Sequence, residues 1–94
     1  MENQDDSVKR LALALTELVK FVPTNQDQLS NWYDKAHVLG ESGLMIDAPH
    51  FVWHYLSDAD IRMKEPEYAE MQNRRINELI DYLNRGVMPS EGEV

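Results

Sequence analysis

The side chains that could carry out chemistry are concentrated between Asp47 and Arg62. This stretch contains two of the three histidines and one of the two tryptophans. His50 and His54 are four residues apart and Asp58 follows four residues later, so a helix would place all three on one face. Two imidazoles at this spacing can bind one metal ion. One interpretation of the stretch is therefore a metal site formed by His50, His54 and Asp58.

The residues around these histidines do not complete a catalytic motif. The zinc-protease pattern needs a glutamate directly after the first histidine, and Phe51 occupies that position. Di-iron bundles need Glu-x-x-His on two helices, whereas aspartate precedes both His37 and His50 at this distance. Nothing resembles a nucleophile elbow or a phosphate-binding loop. We expect no catalytic activity and no cofactor.

Aromatic residues border the polar face that carries these histidines. Phe51 and Trp53 lie at its opposite edges. Half-exposed aromatic side chains are typical anchors of protein interfaces, and the alternative is that both rings pack under neighbouring helices. The apolar connection at 44–46 is expected to plug one end of the core, with a binding lip as the alternative. The predicted contact surface comprises His50, Phe51, Trp53, His54, Ile61, Leu44 and Met45.

The charge balance limits the classes of partner. The formal net charge is −8, from 17 acidic and 9 basic residues. Because phosphate neutralisation supplies most of the affinity for DNA and RNA, we expect no direct nucleic-acid binding. An acidic surface attracts basic proteins and can also imitate a nucleic-acid backbone towards a DNA-binding protein.

The chain also lacks cysteine and membrane-directing features. There is no disulfide framework, and no apolar run approaches the roughly 18 residues that would span a bilayer. The first six residues are acidic and polar, unlike a signal peptide. We expect a cytoplasmic protein without a membrane anchor.

Four segments with helical periodicity would position these residues. In each segment apolar residues recur at three- and four-residue steps, which is the pattern of an amphipathic helix. The segments are 7–22, 25–39, 48–63 and 66–85. No stretch alternates in the manner of a strand. The sequence therefore predicts a single all-α domain, a compact bundle of four helices with flexible tails at 1–6 and 87–94.

Two details of this bundle follow from local patterns. The third segment is expected to break near Ser57, because Ser57-x-x-Asp60 resembles a capping box. Gly40 is expected to end the second helix. The apolar arcs of the third and fourth segments are wide for a lone small bundle, so a homodimer is an alternative to a monomer.

One charged residue falls inside an apolar face. Arg75 shares the inward face of the fourth segment, where a guanidinium group must find acceptors. Asp58 and Asp60 lie just across the short connection before this segment, so a structural ion pair with Arg75 is predicted. The alternative is that Arg75 belongs to an exposed basic spot that receives an acidic partner.

Together these patterns favour a small acidic helical module that binds another protein and has no catalytic activity. The partner's identity does not follow from the sequence. Two alternatives remain: a metal-binding protein that uses His50, His54 and Asp58, and a nucleic-acid mimic that inhibits a DNA-binding protein.

Overall fold

Five α-helices make up the protein in a computed structural model that describes residues 4–89, and no strand occurs in that range. The helices are α1 (Gln4–Lys20), α2 (Gln26–Glu41), α3 (His50–Ser57), α4 (Ala59–Lys64) and α5 (Pro66–Asn84). The all-α class is confirmed for these residues. The predicted count of four helices is not, because the third segment forms two separate helices.

The helical path breaks at Asp58, where the backbone angles are φ −108° and ψ 19°. A break near this point was predicted, but not its cause. Ser57 does not cap α4, since its hydroxyl donates to the carbonyl of His54 at 3.2 Å. The carboxylate of Asp58 instead accepts hydrogen bonds from Tyr68 and Gln72 of α5. Contacts with α5 therefore hold the turn between α3 and α4.

The N-terminus of α2 is capped by reciprocal side-chain hydrogen bonds. Asn25 is the N-cap and accepts from the amide of Gln28 at 2.9 Å, while the Gln28 side chain accepts from the amide of Thr24 at 2.7 Å. These bonds satisfy amides that a helix start leaves without partners. The helix then continues to Glu41, so Gly40 lies inside α2 and does not end it as predicted.

The core is formed mainly by α1 packed against α5, with α2, α3 and α4 completing it. Its fully buried aliphatic residues include Leu11, Leu15, Val52, Ile76, Leu79 and Leu83. Trp32 is the largest fully buried side chain, and its indole N–H donates to the carbonyl of Leu18 at 3.0 Å. Among the described helices, none is long and apolar enough to cross a membrane.

The chain after α5 turns back onto the core. Gly86 has φ 82°, a left-handed conformation that glycine adopts without strain, and the amide of Val87 donates to the carbonyl of Tyr82 at 3.1 Å. Met88 packs against the core and Pro89 is fully buried. Residues 87–89 thus differ from the predicted tail, and residues 4–6 belong to α1. The other tail positions lie outside the described residues.

Candidate functional site

The two aromatic residues predicted to border one face of α3 have different neighbours. Trp53 leans towards α2, where a β-carbon added to Gly40 would lie 3.3 Å from the ring carbon Cζ3 of Trp53. Phe51 lies on the side of α5, with the guanidinium carbon of Arg75 4.2 Å from its ring centroid. The predicted contact surface is therefore divided between two sides of α3.

A groove of about 620 Å³ lies between α2 and α3, next to Trp53. Its buried apolar walls include Ala36 and Leu56, and Gly40 leaves room for the indole ring. Trp53 is 42% exposed, although it is one of the largest apolar side chains in the chain. Gly40, predicted as a helix end, instead permits the close approach of a tryptophan.

Polar side chains along α2 form one edge of this groove. Asp34, His37 and Glu41 all line it and are exposed, and their three- and four-residue spacing stacks them on one face of the helix. The Nε2 atom of His37 lies 3.1 Å from a carboxylate oxygen of Glu41, which makes an ion pair when the imidazole is protonated. No lysine or arginine lines the groove. Its edge is therefore acidic.

The histidines predicted to bind metal lie on the exposed surface of α3. The ring centroids of His50 and His54 are 5.1 Å apart, with their planes at 70°. Asp58 faces α5, where it accepts from the hydroxyl of Tyr68 at 2.6 Å. Among the described side chains, no group of three or more histidine, cysteine, aspartate or glutamate residues is placed to hold a metal ion.

A partly buried arginine, for which no structural role was predicted from the sequence, links α4 to the core. The guanidinium carbon of Arg62 lies 3.9 Å from the ring centroid of Tyr55 and 4.9 Å from that of Trp32. Its Nη1 donates to the carbonyl of Tyr55 at 2.8 Å and to the side-chain oxygen of Gln72 at 2.6 Å. Burial lowers the pKa of Arg62. Arg62 follows Tyr55 by seven residues, a spacing that would place both on one face of an unbroken helix, and this spacing is the signal that could have found it.

The two aspartates expected to pair with Arg75 both have tyrosine partners. Asp58 accepts from Tyr68, and Asp60 accepts from the hydroxyl of Tyr33 at 2.9 Å. The bond from Tyr33 lowers the pKa of Asp60. An ion pair of Arg75 with either carboxylate stays a prediction. These contacts join both sides of the break at Asp58 to α2 and α5.

Ionisation of Tyr33, Tyr55 and Tyr68 is expected to lower the stability of the protein in alkali. Burial raises the pKa of Tyr33 and Tyr55, and the bond donated to Asp58 raises the pKa of Tyr68. The folded protein thus holds these phenolic protons more tightly than the unfolded chain does. The resulting stability is fully present below the unfolded pKa of about 10 and declines as the pH rises above it.

Urea unfolding followed by circular dichroism, from about pH 8 to about pH 11, measures this decline. Tyr68→Phe should make it shallower, because phenylalanine has no proton to lose. Tyr82→Phe is the control, since Tyr82 stacks with Arg85 outside this network. A free energy of unfolding that stays level across this range contradicts the expectation.

The remaining residues of the predicted surface are distributed unevenly. Of the connection at 44–46 that was expected to plug the core, Met45 is buried and Leu44 is half-buried, whereas Ile46 is 83% exposed and does not contribute to the core as predicted. Ile61 is exposed on α4. Because Met45 is covered by the protein itself, it does not belong to a contact surface.

No protein-family model matches this chain, and no curated protein or solved structure is significantly similar to it. The basis for inferring function is therefore the chemistry of the described residues. Among their grooves, the one beside Trp53 combines an apolar wall, an acidic edge and an exposed aromatic side chain.

Proposed function

We propose that this protein is a non-catalytic binding module that receives a segment of another protein in the groove between α2 and α3. The observation that carries the proposal is the exposed indole of Trp53 beside an apolar groove. Tryptophan is enriched among the residues that dominate binding energy, because it offers a large and rigid apolar surface. A partner side chain placed against Trp53 and Leu56 would remove that surface from water.

The charge around the groove indicates the chemistry of the partner. Asp34 and Glu41 stand along its α2 edge, and the whole chain has a formal net charge of −8. A segment with apolar anchors flanked by lysine or arginine complements both features. The long-range charge would accelerate its association, and the local carboxylates would favour the correct register.

The polar groups of the groove do not form a catalytic arrangement, which supports binding over catalysis. Ser57 is the only serine that lines the groove, and its hydroxyl donates to the carbonyl of His54 rather than to His37. His37 faces Glu41 on the exposed edge of α2. A nucleophile needs a hydrogen bond to its base, and these residues do not supply one.

Selection from a random peptide library displayed on phage, with the purified protein as bait, tests this proposal. We expect the enriched peptides to carry an aromatic or aliphatic anchor next to lysine or arginine. Trp53→Ala should weaken their binding by about 30-fold or more, which corresponds to the roughly 2 kcal/mol of an interface hot spot. Phe51→Ala is the matched control, since it removes an aromatic ring from the other side of the same helix.

A second variant blocks the groove and keeps its tryptophan. Because even a β-carbon at Gly40 would lie 3.3 Å from the Trp53 ring, Gly40→Leu should displace the ring and reduce binding as Trp53→Ala does. Asp34→Asn should weaken binding at low salt and make it less salt-dependent. Enriched peptides that bind Trp53→Ala as well as the wild type, or that are lost with Phe51→Ala instead, would overturn the proposal.

A further inference from the structure

We propose that a second copy of this chain docks on another groove, the one between α1 and α2, to form a symmetric dimer. This groove has a volume of about 310 Å³ and is lined by apolar residues from both helices, including Ala14, Leu18 and Leu39. It occupies a different face of α2 from the groove beside Trp53, and the two share no lining residue. The inference is therefore independent of the proposed function.

One exposed aliphatic side chain lines this groove, and two more lie close to its lining residues in the sequence. Val38 lines it and is 68% exposed. Leu13, four residues before the lining residue Glu17 on α1, is 64% exposed, and Ile46, two residues after the lining residue Leu44, is 83% exposed. Scattered apolar residues are ordinary on a protein surface, but an exposed valine within an apolar groove extends one continuous apolar surface, which favours an interaction site.

The charges at the groove favour a second copy of the chain as its occupant. A net charge of −8 makes two copies repel one another over most of their surface. This groove carries one acid on α1, Glu17, and one base on α2, Lys35, so it is locally neutral. Neither side chain forms an ion pair with another residue of the described part. A surface of this kind is complementary to itself.

Two-fold symmetry makes this complementarity specific. A two-fold axis that runs along the groove sets α1 of each copy over α2 of the other, because the rotation exchanges the two sides of the groove. Glu17 of each copy then faces Lys35 of its partner, and the contact occurs twice. An axis across the groove would instead set α1 over α1 and α2 over α2, so that Glu17 would not face Lys35 of the partner.

Sedimentation velocity of the purified chain, from about 1 to about 200 μM, tests for the dimer, whose population must rise with concentration. The wild type should approach the mass of two chains. Val38→Asp should remain a monomer, because it places a charge in the centre of the interface. Val87→Asp is the matched control: it makes the same change at an exposed valine that lines neither groove, and should still dimerise.

Exchanging the charges of Glu17 and Lys35 distinguishes a specific contact between them from the effect of net charge on association. Glu17→Lys raises the net charge of −8 by two units and Lys35→Glu lowers it by two, yet each creates a like-charge pair twice in the dimer. Both should raise the dissociation constant by about tenfold, and the double variant, with the wild-type net charge, should restore it. Circular dichroism should show unchanged helix content in all of them.

Several results would overturn the inference. A wild type that stays monomeric throughout the concentration range excludes the dimer, and a dimer that survives Val38→Asp excludes this interface. Tighter association of Glu17→Lys alone would mean that net charge, rather than a cross-pair with Lys35, governs association.

Discussion

Arg62→Ala is expected to lower the free energy of unfolding by about 3 kcal/mol, since it removes a partly buried side chain from the centre of the polar contacts. Two hydrogen bonds from Nη1, to Tyr55 and Gln72, and the stacking on two aromatic rings are lost together. The side-chain oxygen of Gln72, a buried residue, loses a charged donor, which is costly in a partly dry environment. Urea unfolding monitored by circular dichroism gives the free energy directly.

Arg62→Met separates packing from polar contacts in this prediction. Methionine retains most of the aliphatic volume and has no desolvation cost, the effect that lowers the pKa of Arg62 in the folded protein. The expected loss is therefore smaller, about 1 to 2 kcal/mol. Arg74→Ala, at an exposed position on α5, should change stability by less than about 0.5 kcal/mol and serves as the control. If Arg62→Met were as stable as the wild type, the prediction would be wrong. The desolvation cost of the guanidinium group would then equal the stabilisation from its hydrogen bonds and ring contacts.

Helices whose pattern is local were predictable from the sequence. The apolar spacing in α1, α2 and α5 located each of them, and their ends differ from prediction by a few residues. The break near Ser57 was also expected, but the contacts that hold it come from α5. The bonds of Tyr68 and Gln72 to Asp58 join residues 10 and 14 positions apart in the chain. Periodicity within one helix carries no information about such contacts.

The candidate site was predicted in part for a related reason. The sequence indicated that Phe51 and Trp53 border one polar face, but which helix packs on each side depends on the tertiary arrangement. The role of Gly40 likewise depends on the tertiary arrangement. A glycine that ends a helix and one that makes room for a neighbouring ring look alike in a single sequence. The charges of Asp34 and Glu41 at the groove became informative only after α2 was placed beside α3.

Trp32→Ala is expected to have the largest effect on stability, a loss of about 4 kcal/mol. The indole is 1% exposed and meets both Tyr33 and Tyr55 edge to face, with ring centroids 5.8 and 5.6 Å away. Its N–H also satisfies the carbonyl of Leu18, one of the last four of α1, for which the helix itself provides no donor. Since a domain of this size is stable by about 5 to 15 kcal/mol, the variant should unfold at much lower urea concentrations.

The two tryptophans provide a matched comparison for this last prediction. Trp32→Phe keeps most of the apolar surface but leaves the carbonyl of Leu18 without its donor, so it should lose about 1 to 2 kcal/mol. Trp53→Ala removes an indole that is already 42% exposed, and should cost about 1 kcal/mol or less. Equal losses of stability in Trp32→Ala and Trp53→Ala would contradict the burial of Trp32 and the exposure of Trp53. If they differ as expected, loss of peptide binding in Trp53→Ala reflects a missing contact rather than an unfolded protein.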